Sequence, residues 1–239
     1  MFRSLEIPIE SVEEARLAAA HVDRLEVCAE LETDGWTPSS ATLAQIVQAV
    51  SDHPVQVVSL IRPRCCPDFI VSAEGLSQAE RDIESASRSG ADGVVFGFLD
   101  HRTRLDPVSS GQLCELARSR DLSASLHRVC DFDDDSEHMI ALASECGFER
   151  ILTSGAAGWS FESTTLDLRI DRVKELIRSS VLHGTRLARP PVRIVACGGI
   201  RACNAREFLA ATPDLHASCR SGGRFDVGLL DALVNRREA

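Results

Sequence analysis

The 239-residue chain has no tyrosine, and its 26 basic side chains are 25 arginines and a single lysine, Lys174. Schiff-base and pyridoxal phosphate enzymes need a lysine amine at the reacting centre. Lys174 lies in RIDRVKELIRSS, which reads as a helix, where lysines are mostly exposed. Lysine-based covalent catalysis is therefore not expected. No apolar run reaches ~18 residues, so no membrane partner is expected. MFRSLEIPIE lacks the apolar core and small-residue cleavage site of a secretory signal, which predicts a cytoplasmic protein. CxxC pairs are absent, which argues against structural zinc. So is a GxGxxG after the first strand, which argues against a dinucleotide-binding open sheet. The formal net charge of −10 argues against nucleic acid, whose partners usually show a basic patch.

What is present is a folded composition, 44% hydrophobic with nine cysteines, which the predicted compartment keeps as thiols. Short β-rich runs fall at 4–9, 23–28, 54–61, 93–99, 122–127, 150–155, 192–198 and 214–219. Helix-patterned stretches lie between them, at 11–20, 39–50, 76–89, 108–119, 135–146, 166–182, 201–211 and 226–237. Ser11 with Glu14 forms a capping-box signature, and Gly90 follows an Ile83–Ala86 stripe as a helix-ending glycine. Eight strands alternating with eight helices predict an α/β (β/α)8 TIM barrel, with residues 1–239 as a single domain. One long loop, 62–75, follows the third strand.

In such a barrel, reactive groups gather at the C-terminal ends of the strands. Those ends carry Glu26 and Cys28; Arg62, Arg64, Cys65, Cys66 and Asp68; His127, Arg128 and Asp131; Thr153 and Ser154; Cys197, Gly198 and Gly199; and His216. Charges here are costly unless paired, and Glu26 opposite Arg62 or Arg128 would satisfy them. These groups either close the barrel top as salt bridges or bind and transform a ligand. Gly198 and Gly199, ahead of a helix starting near Arg201, make a tight turn or an anion-binding one. With Arg62, Arg64, Arg128 and Arg201 they suggest a small phosphate- or carboxylate-bearing ligand. His127 is the first candidate acid or base, oriented by Asp131 or Glu26, and His216 the second; either could instead be a structural histidine. Cys28, Cys197, His127 and His216 could make a soft metal site, and adjacent Cys65 and Cys66 read as exposed thiols.

Nine segments in order carry a family resemblance. They are LEIPIESVEEA, VDRLEVC, DGWTPS, IRPRCCPDF, GADGVVFG, LHRVCD, RILTSG, VACGGIRACN and DLHASC. Together they resemble the CutC family of copper homeostasis proteins over nearly the whole chain. The resemblance implies a cytoplasmic, often homo-oligomeric barrel that handles copper. It implies a polar pocket of Glu26, Arg62, Arg64, Asp68, His127, Arg128, Asp131, Ser154 and His216. It also implies Cu(I) held by two cysteines, one matching Cys28 and one at the position of Pro8. Proline offers no thiolate, so Cys28 remains as the metal ligand, with Cys65 or Cys66 as replacement partners. The sequence thus leaves two functions open: copper binding, or an enzyme acting on a small anion.

Overall fold

The computed structural model describes residues 4–238 except Pro67, Val71, Asp134 and Trp159. Eight parallel strands close into one barrel in sequence order: β1 (Ser4–Ile9), β2 (Arg24–Val27), β3 (Gln56–Leu60), β4 (Gly93–Phe96), β5 (Ser123–Leu126), β6 (Arg150–Thr153), β7 (Arg193–Ala196) and β8 (Asp214–His216). Outside them run α1 (Val12–Ala18), α2 (Ser40–Ala49), α3 (Ala73–Arg88), α4 (Pro107–Ser119), α5 (Ser136–Cys146), α6 (Leu166–Leu187), α7 (Ala205–Leu209) and α8 (Val227–Glu238). A small hairpin, β9 (Arg220–Ser221) with β10 (Arg224–Phe225), stands where an eighth βα loop would be. The predicted TIM barrel is the observed fold.

The helix starts follow local chemistry. Ser11 Oγ accepts from Glu14 N–H at 3.2 Å, while the Glu14 carboxylate accepts from Glu10 N–H at 2.8 Å, one residue earlier than a capping box requires. Thr165 caps α6, which starts at the expected Leu166. Two boundaries move. Helix α3 begins at Ala73, which shortens the expected long loop. Helix α7 begins at Ala205 instead of 201, because Arg201–Asn204 form a turn. Asn204 holds that turn by accepting from Arg201 N–H and donating to the Gly199 carbonyl.

The barrel is buried on both faces, but its two faces differ. Leu5, Ile7, Ile9, Leu25 and Val27 belong to the main apolar core. The alternate positions of β1 and β2 are polar, and they meet charged residues from across the barrel. Glu6 is fully buried and binds Arg24 Nε at 3.0 Å, Arg150 Nη2 at 3.2 Å and His216 Nδ1 at 2.8 Å. Arg24 also reaches Ser125 Oγ at 3.2 Å, and Arg150 reaches Ser4 Oγ at 3.2 Å. The interior is thus an ion cluster beneath a small apolar patch of Leu152, Val195 and Cys197. Such a cluster is costly to break, because each partner left behind is a buried charge. Glu6→Leu should lower folding stability by about 3–5 kcal/mol, read as a urea midpoint shift. Arg64→Ala, which opens an exposed pair with Glu30, should leave the midpoint unchanged.

Candidate functional site

A cavity of about 380 Å³ opens at the C-terminal end of the barrel. That is within the usual range for a small-molecule site. Pro8, Glu26 and Cys28 line it from the first two strands, Arg62 and Phe69 from the loop after β3, and His127 and Arg128 from the end of β5. Phe161, Cys197, Gly198, Gly199, Arg201, His216 and Ser218 complete much of the remaining wall. Most of the predicted strand-end residues therefore do converge.

Glu26 and His216 form one polar group within this wall. Glu26 is paired with register partner Pro8 on β1, and His216 with Glu6. The His216 Nδ1 lies 3.7 Å from Glu26 Oε2 as well as 2.8 Å from Glu6 Oε1. Burial pushes the Glu26 carboxyl up to about 7; the charge of Glu6 adds to the rise, and His216 and the arginines only partly oppose it. For Glu6, burial also works upward, but Arg150, the His216 hydrogen bond and Arg24 outweigh it and hold its carboxyl at about 2. Burial would lower His216, yet the Glu6 hydrogen bond and the two carboxylate charges raise it above its ordinary value. A carboxyl near neutrality beside an easily protonated imidazole is an acid–base pair suited to neutral pH.

His127 has the opposite electrostatics. Burial, then the charge of Arg62, push it down to about 3, so its ring is neutral. Its Nδ1 accepts from Val129 N–H at 3.1 Å, which places the ring proton on Nε2. Neither Asp131 nor Glu26 orients it, contrary to the sequence expectation. Asp131 is fully engaged elsewhere: it accepts from Thr153 Oγ1 at 2.5 Å, Ser154 N–H at 2.9 Å and Ser154 Oγ at 2.7 Å, and pairs with Arg128 Nε at 3.3 Å. Asp131 and Ser154 thus support Arg128 from outside the cavity wall. Glu26 likewise meets His216 where Arg62 or Arg128 had been expected.

The arginines are fixed by carbonyls and rings. Arg62 Nη1 donates to Asp34 O at 3.2 Å and Gly35 O at 3.0 Å, and its guanidinium lies 4.3 Å from the Trp36 ring centre and 4.5 Å from that of Phe69. Arg201 donates to Ile200 O and Arg220 O. Gly198 and Gly199 have φ of +73° and +66°, and a Cβ on Gly199 would come within 2.6 Å of the Phe161 ring. The glycine pair therefore seats Phe161 in this structure. Arg169, which the sequence did not single out, grips the same turn through the carbonyls of Ser154, Cys197 and Gly198.

Three further expectations fall outside the cavity. Arg64 is exposed and paired with Glu30, and exposed Asp68 accepts from Ile70 N–H at 3.2 Å. Cys66 is buried, with Sγ 3.8 Å from Ser72 Oγ, so it is neither an exposed thiol nor a cavity-lining partner for Cys28. Its neighbour Cys65 is exposed as expected. Glu6 is the member of this buried polar group that sequence reading missed. Its signal was the alternation S-L-E-I-P-I, which sets Glu6 opposite to a Leu5–Ile7–Ile9 face already committed to the helices.

Residues 3–221 match the model of the CutC family. The chain belongs to the CutC family. A CutC-family protein of Aliivibrio fischeri is 31% identical over 220 residues, spanning 91% of this chain and 82% of the relative. One from Xanthomonas campestris pv. campestris is 33% identical over 219 residues, 90% of this chain and 83% of the relative. A solved structure from Streptococcus agalactiae, named as a candidate copper homeostasis protein CutC, superposes with a TM-score of 0.78 at 24% identity, covering 91% of this chain and 99% of that one. At that identity the likeness establishes the shared barrel.

The titrations of this CutC-family site bear on stability with a definite sign. Glu26 has its folded value raised above the ordinary carboxyl range, so its stabilisation is complete below about pH 4.5 and is lost as pH rises through about 7. His216 is also raised, so its contribution is lost in the same direction, above its ordinary 6.5. Glu6, held at about 2, contributes above 4.5 and loses that only as pH falls toward 2. The melting temperature should therefore fall between pH 5 and 8, and Glu26→Gln should flatten that slope. An equally steep slope in the variant would contradict the assignment.

Proposed function

We propose that the barrel mouth is the site of an enzyme that binds a small organic anion and moves a proton on it. The observation that carries this reading is the Glu26–His216 pair, with Glu26 near neutrality, in a cavity shared with Arg62, Arg128 and Arg201. The arginines supply charge and forked donors for a carboxylate or phosphate. Glu26 serves as the base. His216 serves as the acid, with Glu6 as its positioning residue: the Glu6 carboxylate takes the Nδ1–H and fixes the tautomer. His127 contributes as a neutral donor, and Asp131 acts through Arg128.

Copper homeostasis is the second reading, supported by the family and by the name of the streptococcal protein. Two thiols, Cys28 and Cys197, line the cavity as possible donors. Their chemistry suits Cu(I) poorly. Burial pushes both thiols well above their ordinary value, so a metal bound there would have to displace their protons. Cys28 Sγ donates to the Glu26 carbonyl at 3.7 Å, and Pro8, which lines the same cavity, offers no second thiol. Among the described residues, the three-donor cluster is Glu6, Glu26 and His216, a hard set whose Glu6 already holds two arginines. A copper role for this chain would thus be an indirect one, exercised through its anion chemistry in the cytoplasm.

Two measurements separate these readings. Inorganic phosphate or oxalate at about ten times its dissociation constant should raise the melting temperature by about 3–6 °C. Arg128→Ala should abolish most of that rise; an absent rise in the unaltered protein overturns the anion site. In an anaerobic Cu(I) competition titration, Cys28→Ser should match the unaltered protein. A tight site lost with Cys28 would restore direct copper binding.

A further inference from the structure

The acid–base reading makes His127 a neutral donor without saying what accepts from it. His127 is buried, lines the cavity, and among the described residues its Nε2 has no hydrogen-bond partner. A donor held dry and unsatisfied costs stability, and side chains that pay such a cost cluster at functional sites. The ring is held firmly. Val129 N–H fixes Nδ1 at 3.1 Å. The Phe69 ring packs edge-on, 5.1 Å between centres and 70° between planes. Gly97 makes room for the ring edge: a Cβ there would sit 3.0 Å from His127 Cε1 and 2.5 Å from Val129 Cγ1. Phe69 itself has φ of +65°, a costly conformation for a bulky residue, and its loop also carries Arg62.

We propose that the Nε2–H of His127 binds the carbonyl oxygen of the substrate, so that the substrate class is a small anion carrying a ketone or aldehyde next to a C–H bond. This rests on the acid–base reading of the same cavity. The reaction balances without a further reactant. The Glu26 carboxylate takes the proton from the carbon beside the carbonyl. The C–H electron pair becomes the carbon–carbon double bond, and the carbonyl π pair moves onto oxygen. The enolate oxygen then accepts from His127 Nε2–H. Return of the proton from Glu26 to the same carbon closes the cycle; where Glu26 has first exchanged that proton with solvent water, the carbon's hydrogen is exchanged. A neutral imidazole suits this task, because it stabilises the developing oxyanion and does not itself transfer a proton. Water does not reach Nε2 in this structure, so the incoming oxygen displaces Phe69, the side chain packed on the ring and already strained.

Oxalate is the probe, since its planar dianion sets an oxygen beside a carboxylate as an enolate of such a substrate does. Inorganic phosphate is the control. His127→Asn keeps an acceptor for Val129 N–H but is too short to replace Nε2–H; His127→Gln restores a donor near that place. Oxalate should bind about tenfold or more weakly to His127→Asn and recover largely in His127→Gln. Phosphate affinity should change by less than about twofold, being set by the arginines. In the unaltered protein, the His127 Nε2 nitrogen resonance should move on saturation with oxalate. Equal oxalate affinity in the unaltered protein and His127→Asn, or an unmoved Nε2 signal, overturns this assignment while leaving the anion site standing. Failure of both anions to bind overturns the anion site itself. The resonance measurement decides the matter even if the Asn variant does not fold.

Discussion

Everything in this barrel's interior depends on the buried carboxylate of Glu6. Its partners come from β2, β6 and β8, so one side chain on β1 ties together strands on both sides and across the barrel. Two arginines without it would be uncompensated charges in a dry interior. The same carboxylate reaches upward into the site. By accepting from His216 Nδ1 it fixes that ring and raises its proton affinity, and by its charge it raises Glu26. A structural ion cluster and the proposed acid–base site thus share one residue, so the titration of that site is tied to stability.

The mouth is arranged on a different principle. Arg62 and Arg201 are held by carbonyl oxygens, and Arg62 also by the faces of Trp36 and Phe69. Neither kind of partner carries a formal charge, so the guanidinium groups are oriented without being neutralised by those contacts. Arg128 differs, sharing its charge with Asp131, which is itself anchored to Thr153 and Ser154. The chain's net charge of −10 therefore belongs mostly to its outside. A negative protein can still offer an anion site, because short-range fork contacts inside a cavity outweigh a screened distant field.

The barrel was legible in the sequence because short β-rich runs alternate with helix-patterned stretches, and most helices start at a capping side chain, α7 being an exception. The misses have specific causes. Helix α6 runs five residues beyond the expected 182, and at Gly184 in its last turn the Arg189–Pro191 backbone packs where a Cβ would clash. His216 was recognisable as a candidate at a strand end, but its partner Glu6 lies within β1, away from the strand ends where reactive groups are usually sought. Arg64 and Asp68 entered as residues just after the third strand, and again through the family resemblance. Their segment here carries Cys65-Cys66-Pro67, and both side chains lie on the outside. Aromatic Phe69 and Phe161 could not be placed by spacing, because what positions them is contact with Arg62, His127 and the glycine turn across the barrel mouth.

The scarcity of lysine gains its meaning from this arrangement. A protein can activate a carbonyl with its own side chains by forming an iminium on a lysine or by hydrogen-bonding the oxygen. Lys174 sits on α6, exposed and paired with Asp171 at 3.4 Å, away from the cavity. The covalent route is thus closed by position as well as by count. Hydrogen-bond donors remain, and the cavity wall supplies them in graded form: three arginines that carry charge, and one imidazole that stays neutral because burial and Arg62 both oppose its protonation. Charged donors suit the permanent anion of a ligand, whose charge does not change during reaction. A neutral donor suits an oxygen whose charge appears only in the transition state, since it stabilises that charge without binding the ground state too tightly.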